Sequence, residues 1–163
     1  MEIEEKIKDI IKKFSEKNIL IAFAESCTGG YLSHMITNIS GASNVFERGL
    51  VTYGNQAKID LLKVNPKDIE NYGAVSEEVA RQMAYNVRIM SKPCDIGIGI
   101  TGIAGPTGGT PKKPVGLVYI GYSTNKETIV KKYNFNADRI TFKKLILEEI
   151  IEFLENYSFT HNF

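Results

Sequence analysis

The apolar run Ile19-Leu20-Ile21-Ala22-Phe23 ends in Ala24-Glu25-Ser26-Cys27-Thr28-Gly29-Gly30, which leads straight into Tyr31-Leu32-Ser33-His34-Met35-Ile36. The first segment reads as a buried strand and the last as the opening turns of a helix. A chain in which such strand and helix segments interleave is confined to a layered α/β arrangement. Small hydroxyl-bearing residues and glycines at the turn let backbone N–H groups converge on a ligand, with the positive end of a helix dipole behind them. An exposed Ser26 in that position is an anion ligand, a helix cap or a nucleophile.

The remaining periodicities extend the pattern. Ile3, Ile7, Ile10, Ile11 and Phe14 share one face of a helix over 2–17. A strand is expected over 19–24, a helix over 30–38, a turn over 40–44, a strand over 50–53 and a short helix over 55–62. Ser76 with Glu77 and Glu78 opens a capped helix running to about Met90. Ile96, Ile98 and Ile100 alternate with Gly97 and Gly99 as in a strand, followed by a glycine- and proline-rich loop over 102–114. Strands over 115–122 and 128–135, joined by Ser123-Thr124-Asn125-Lys126, form a hairpin, and Asn136 is placed to cap a last helix over 137–156. The expected fold is a three-layer α/β sandwich, its sheet mixed and mostly parallel with a late antiparallel hairpin, in one domain over 1–163.

Twenty basic against nineteen acidic residues leave a net charge of +1, so no global field draws nucleic acid or an anionic membrane. The acidic, amphipathic start is unlike a signal peptide, and no apolar run approaches the length of a membrane span. Cys27 and Cys94 have neither CxxC nor zinc-ligand spacing, which points to a reduced, cytoplasmic protein.

Gly97-Ile98-Gly99-Ile100-Thr101-Gly102 matches GxGxxG literally but is no dinucleotide fingerprint. Its first two glycines lie within a strand pattern, and Pro106, Pro111 and Pro114 forbid the helix that must follow. Those glycines instead leave space for a neighbouring side chain or a ligand. The loop from Thr101 through Gly102, Ile103, Ala104 and Gly105 leaves the end of a strand, where ligands gather in open α/β sheets, and Lys112 and Lys113 lie just beyond it.

Histidine is scarce. His34 sits inside a predicted helix and His161 beside the terminus, so the base of a serine nucleophile would be a lysine. Lowering a lysine from about 10.4 to roughly 7–8 requires about 4 kcal/mol of differential stabilisation, from burial or a neighbouring cation. Tyr53 and Lys58, after the strand over 50–53, can reach the same sheet edge as Ser26, although on spacing alone Lys58 is a solvated helix lysine and Tyr53 a packing residue. Cys27 is a rival nucleophile whose usual role is a small buried residue. Arg139, beside Asp138, is either a surface ion pair or an anion clamp.

Five segments then occur in order: Ala24-Glu25-Ser26-Cys27-Thr28-Gly29-Gly30, Tyr53-Gly54-Asn55-Gln56-Ala57-Lys58, Gly73-Ala74-Val75-Ser76, Thr101-Gly102-Ile103-Ala104-Gly105-Pro106 and Lys113-Pro114-Val115-Gly116. Together they resemble the C-terminal domain family of the competence/damage-inducible protein CinA, whose characterised members are nicotinamide-nucleotide amidohydrolases. The likeness covers nearly the whole chain. Asp138-Arg139 resembles the family's Gly-Asp-Arg with Ala137 in place of the glycine, and Gly54 stands where the family has serine in Tyr-Ser-Asn.

The resemblance implies hydrolysis of the carboxamide of nicotinamide mononucleotide to nicotinic acid mononucleotide and ammonia, in pyridine nucleotide salvage, with no metal or cofactor. It implies Ser26 as nucleophile, Lys58 as base and Tyr53 assisting. Cys27, Thr28, Gly29, Gly30, Asn55, Thr101, Gly102, Ile103, Ala104, Gly105 and Arg139 would line the nucleotide site. The amides over 27–30 are then the first oxyanion donors to consider, and Arg139 or the lysines near 112 would balance the phosphate. A homo-oligomer is also implied, as is the stand-alone form without the N-terminal domain of longer CinA-type proteins. The competing expectation is a nucleotide-binding module of the same family without turnover.

Overall fold

The structure, a computed structural model, describes residues 2–90 and 94–160. The apolar run forms strand β1 (Ile21–Glu25), every residue of which is buried. It pairs in parallel with β2 (Phe46–Val51) on one side and β3 (Ile96–Gly102) on the other. β4 (Leu117–Ser123) runs antiparallel to β3, and β5 (Thr128–Asn134) antiparallel to β4. The sheet order is β2-β1-β3-β4-β5, so all strands but β4 point the same way.

Alternation along the strands sorts side chains into two layers. Ile21, Phe23, Ile96, Ile98, Ile100, Val118 and Ile120 face a core shared with α1 (Ile3–Glu16), α2 (Tyr31–Thr37) and α6 (Arg139–Thr160). Ala22 and Ala24 face the opposite side, where they meet α3 (Asn55–Leu62) and α5 (Glu77–Met90) through Leu62, Val79, Met83 and Val87. The expected three-layer α/β sandwich is therefore the observed one. Among the described residues, no helix is long and apolar enough to cross a membrane.

The glycines of the GxGxxG-like segment make room for backbone rather than for a ligand. A Cβ on Gly97 would lie 2.2 Å from the Ala84 carbonyl oxygen, and one on Gly99 2.5 Å from the Ala84 nitrogen. Across the sheet, a Cβ on Gly121 would lie 2.5 Å from the Ala80 carbonyl oxygen. Helix α5 thus rests its main chain directly on β3 and β4.

The structure differs from expectation in several places, the last helix among them, which runs over Arg139–Thr160 rather than 137–156. β2 covers Phe46–Val51 rather than 50–53, because Glu47 and Arg48 mask the alternation of an edge strand half open to solvent. Helix α4 (Pro66–Tyr72) was not expected; its signals are an Asn65 side chain accepting from the Lys67 amide at 2.9 Å and a proline at the first turn. The last helix is capped by Asp138 rather than Asn136, with Oδ1 accepting from the Thr141 amide at 2.9 Å. In the late hairpin, β4 begins two residues after the expected 115 because Gly116, at φ 95°, turns the chain first.

The close seat of α5 makes a prediction. Glycine-to-alanine changes in strands ordinarily stabilise by roughly 0.5–1 kcal/mol. Gly97→Ala is expected instead to destabilise by about 1–3 kcal/mol, since α5 must lift. A lower urea midpoint with unchanged slope supports this; a raised midpoint contradicts it.

Candidate active site

The parallel register decides what meets at the sheet edge. Glu25 pairs with Val51 and Ala24 with Gly99, so the carboxyl ends of β1, β2 and β3 lie side by side. Residues 26, 52–53 and 101–105 emerge there together, where open α/β sheets bind ligands.

Glu25 builds the turn that carries Ser26. Its carboxylate is fully buried. It accepts from the Leu32 amide at 3.0 Å, the Ser33 amide at 3.0 Å, the Ser33 hydroxyl at 2.6 Å and the Thr28 hydroxyl at 2.7 Å. The donors at the start of α2 are therefore taken by the chain's own anion, and the turn is not an open anion nest. Gly49 on β2 leaves the space this needs, since a Cβ there would lie 2.2 Å from the Ser33 hydroxyl. Gly29 and Gly30 carry φ of 58° and 96°, which lets the turn double back into the helix.

Lys58 comes from α3 and is 1% exposed, which overturns the solvated reading of its spacing. Its Nζ lies 2.9 Å from Ser26 Oγ and donates to the carbonyl oxygens of Thr52 at 2.8 Å and Tyr53 at 3.1 Å. A neutral amine has two N–H bonds and one lone pair. With the two carbonyls taking the N–H bonds, the lone pair is left for the Ser26 hydroxyl proton. Burial lowers the Lys58 pKa, and attraction to a Cys27 thiolate would oppose that shift. Burial also pushes the Cys27 thiol up to about 12, so at neutral pH no thiolate is present to oppose it. The same shift leaves Cys27 a poor nucleophile.

A cleft of about 350 Å³ opens on this pair, lined also by Cys27, Tyr53, Asn55 and Arg139. Thr101 and residues 102–105 complete its lining with Ala74, Val75, Thr107 and Gly108. The buried Thr101 hydroxyl donates to the Ala74 carbonyl at 2.8 Å, fastening the segment before α5 to the end of β3. Arg139 donates to the Gly105 carbonyl, and its second terminal nitrogen lies 3.4 Å from the Tyr53 hydroxyl.

Most of the residues singled out in the sequence converge here, but not all in the expected manner. Thr28, Gly29 and Gly30 do not line the cleft; Thr28 is buried with its hydroxyl on Glu25. The Tyr53 carbonyl, not its hydroxyl, touches Lys58, while the ring is 61% exposed at the mouth. Lys112 and Lys113 are absent from the cleft, and Lys113 instead donates to the Tyr72 carbonyl at the end of α4. Arg139 makes no ion pair with Asp138. His34 is exposed, its Nε2 3.2 Å from the side-chain nitrogen of Asn38, and His161 lies outside the described residues. Among the described residues, no group of three or more His, Cys, Asp or Glu could hold a metal ion. The role of Glu25 was missed, although its place directly before Ser26 at the strand end was a readable signal. The two carbonyls that hold Lys58 left no trace in residue type.

Residues 3–158 match the family described as the CinA C-terminal domain. A protein of Thermoanaerobacter sp. (strain X514) named as competence-damage inducible is 47% identical over 155 residues, 94% of this chain and 37% of its own length. A CinA-like protein of Kosmotoga olearia is 47% identical over 83% of this chain and 33% of its own. The chain thus spans about a third of the length of these curated relatives. Among solved structures, the competence/damage inducible protein CihA from Agrobacterium tumefaciens superposes with a TM-score of 0.90 at 35% identity, covering 94% of each chain. A CinA superfamily protein from Escherichia coli gives 0.86 at 30% identity over 93% of this chain and 87% of that one.

The lowered Lys58 pKa is testable without any substrate. Between its folded value and the unfolded one near 10.4, the unfolded chain binds more protons, so stability rises with pH. Relative to Lys58→Met, the wild type should gain stability as pH climbs from neutral through that window and level off above it. Denaturant midpoints of the two proteins across this range check the sign; a difference that does not change with pH contradicts it.

Proposed function

This chain belongs to the CinA C-terminal domain family, and we propose that it hydrolyses the carboxamide of nicotinamide mononucleotide with Ser26 as nucleophile and Lys58 as base. The observation that carries the reading is the buried amine 2.9 Å from a serine oxygen, with its two N–H bonds held by carbonyls.

Ser26 Oγ attacks the amide carbon as its proton passes to Lys58 Nζ. The tetrahedral intermediate places negative charge on the former carbonyl oxygen, which needs N–H donors. The Gly29 amide is already held by the Ser26 carbonyl at 3.0 Å, and the Leu32 and Ser33 amides by Glu25. The amide of Cys27, next in chain to the nucleophile and on a residue that lines the cleft, is the donor we assign. Collapse breaks the C–N bond as the Lys58 ammonium protonates the departing nitrogen, which leaves as ammonia. Water then attacks the resulting ester, giving a proton to Lys58, and Lys58 returns it to Ser26 Oγ as the C–O bond breaks, so that nicotinic acid mononucleotide leaves and the free serine is restored. Two carbonyls that hold the ammonium and the amine equally well keep Nζ in place through these transfers.

The alternative is a module that binds the nucleotide without turnover, suggested by glycine at position 54 where the family has serine. A Cβ at Gly54 would have no protein atom within 4 Å. The Ser26–Lys58 pair is thus in place with glycine at 54, and a Cβ there would meet neither residue.

Ammonia release from the mononucleotide discriminates the readings. Ser26→Ala is expected to lower kcat by at least about 10³-fold, while Cys27→Ala keeps most of the activity. Turnover that survives Ser26→Ala refutes the serine mechanism, and binding without turnover in the wild type selects the module. A second expectation concerns pH: the acidic limb of the kcat profile should lie well below about 10.4, and Lys58→Met should reduce kcat far more than it changes KM. A limb at the ordinary lysine value removes Lys58 as the buried base.

A further inference from the structure

Arg139 and Lys143 stand four residues apart on α6, so both side chains leave the same face of the helix. Arg139 is already engaged with the Gly105 carbonyl and the Tyr53 hydroxyl, tying together two loops of the cleft. Lys143 is not so occupied. It is half-buried, and among the described residues no carboxylate pairs with it. Its Nζ sits over the turn after the nucleophile: a Cβ on Gly29 would lie 3.8 Å from it. Its charge also reaches the Cys27 thiol, which forms part of the cleft wall.

A partly desolvated ammonium without a counter-charge, beside a cleft that takes an anion, is placed to meet that anion. Gly29 is itself exposed, so the approach to Lys143 over the turn is open to solvent. Lys113, by contrast, is held at the end of α4 by the Tyr72 carbonyl. We propose that Lys143, which stands outside the cleft lining over the neighbouring turn at Gly29, is the phosphate-recognising residue at the cleft's rim, with the remaining N–H groups of Arg139 as second donors. It would hold the phosphate monoester of the mononucleotide while the carboxamide lies at Ser26. This assignment rests on the amidohydrolase reading for its substrate. Arg139 then acts chiefly as a positioning residue, holding the 102–105 wall against Tyr53.

The test compares ammonia release from nicotinamide mononucleotide and from nicotinamide riboside, which lacks the phosphate. Lys143→Met should raise KM for the mononucleotide by roughly 10- to 100-fold, the range of a charge-assisted hydrogen bond, with kcat nearly unchanged. The riboside parameters should not move, and Lys143→Arg should recover most of the loss. Lys144→Met, at the exposed neighbouring position, controls for net charge and should behave as wild type. Equal losses on both substrates, or the same loss in Lys144→Met, overturn the assignment. If the wild type releases ammonia from neither substrate, the amidohydrolase reading falls. Calorimetric binding of the mononucleotide then decides the subsite: at least tenfold weaker binding by Lys143→Met supports it, and equal affinity overturns it.

Discussion

The buried carboxylate of Glu25 organises the whole working edge of the sheet. Four donors from Thr28, Leu32 and Ser33 converge on it, closing the turn over Ser26 and capping α2. Its own carbonyl accepts from the Thr52 amide at 2.8 Å, so the same residue aligns the end of β2 with that of β1. Thr52 and Tyr53 then supply the two carbonyls that hold Lys58. A charge this deep would be unfavourable without partners, and here the partners are the backbone that the site requires in place. One carboxylate therefore links Ser26, the helix that follows it and the carbonyls that hold Lys58.

Lys58 and Cys27 show how burial alone assigns roles to neighbouring groups. Both side chains are nearly inaccessible, and in each case desolvation disfavours the charged form. For a lysine the disfavoured form is the acid, so burial creates a base. For a cysteine it is the thiolate, so burial silences the intrinsically better nucleophile. The same environment acting on opposite charge types favours a neutral amine beside Ser26 and a protonated thiol at Cys27, without any contact that discriminates between them.

Much of the fold was legible because apolar periodicity reports burial directly. The fully buried β1, the alternating β3 and the amphipathic α1 lie within two residues of their expected places. Misreadings fell where burial was weak or competing signals were present. β2 is an edge strand with charged residues in its pattern, and α4 buries no residue, so neither projects a strong apolar period. The glycines at 97 and 99 signalled a close approach but not of what. A helix backbone and a ligand ask the same thing of a strand, namely no Cβ, and only the seat of α5 tells them apart.

The candidate site divides along a similar line. Residue types alone determined that a serine turn follows a strand, that histidine is too scarce to serve it, and that a lysine must be considered as base. Those conclusions depend on composition and local order, which the chain carries explicitly. That Lys58 is buried, that two main-chain carbonyls hold its amine, that Tyr53 turns its hydroxyl to Arg139 and that Lys143 overhangs Gly29 were decided by tertiary structure. Each depends on parallel strands and helices distant in sequence arriving at one edge. Desolvation and backbone acceptors have no letter in a sequence, because every residue carries a carbonyl and only the fold chooses which of them face inward.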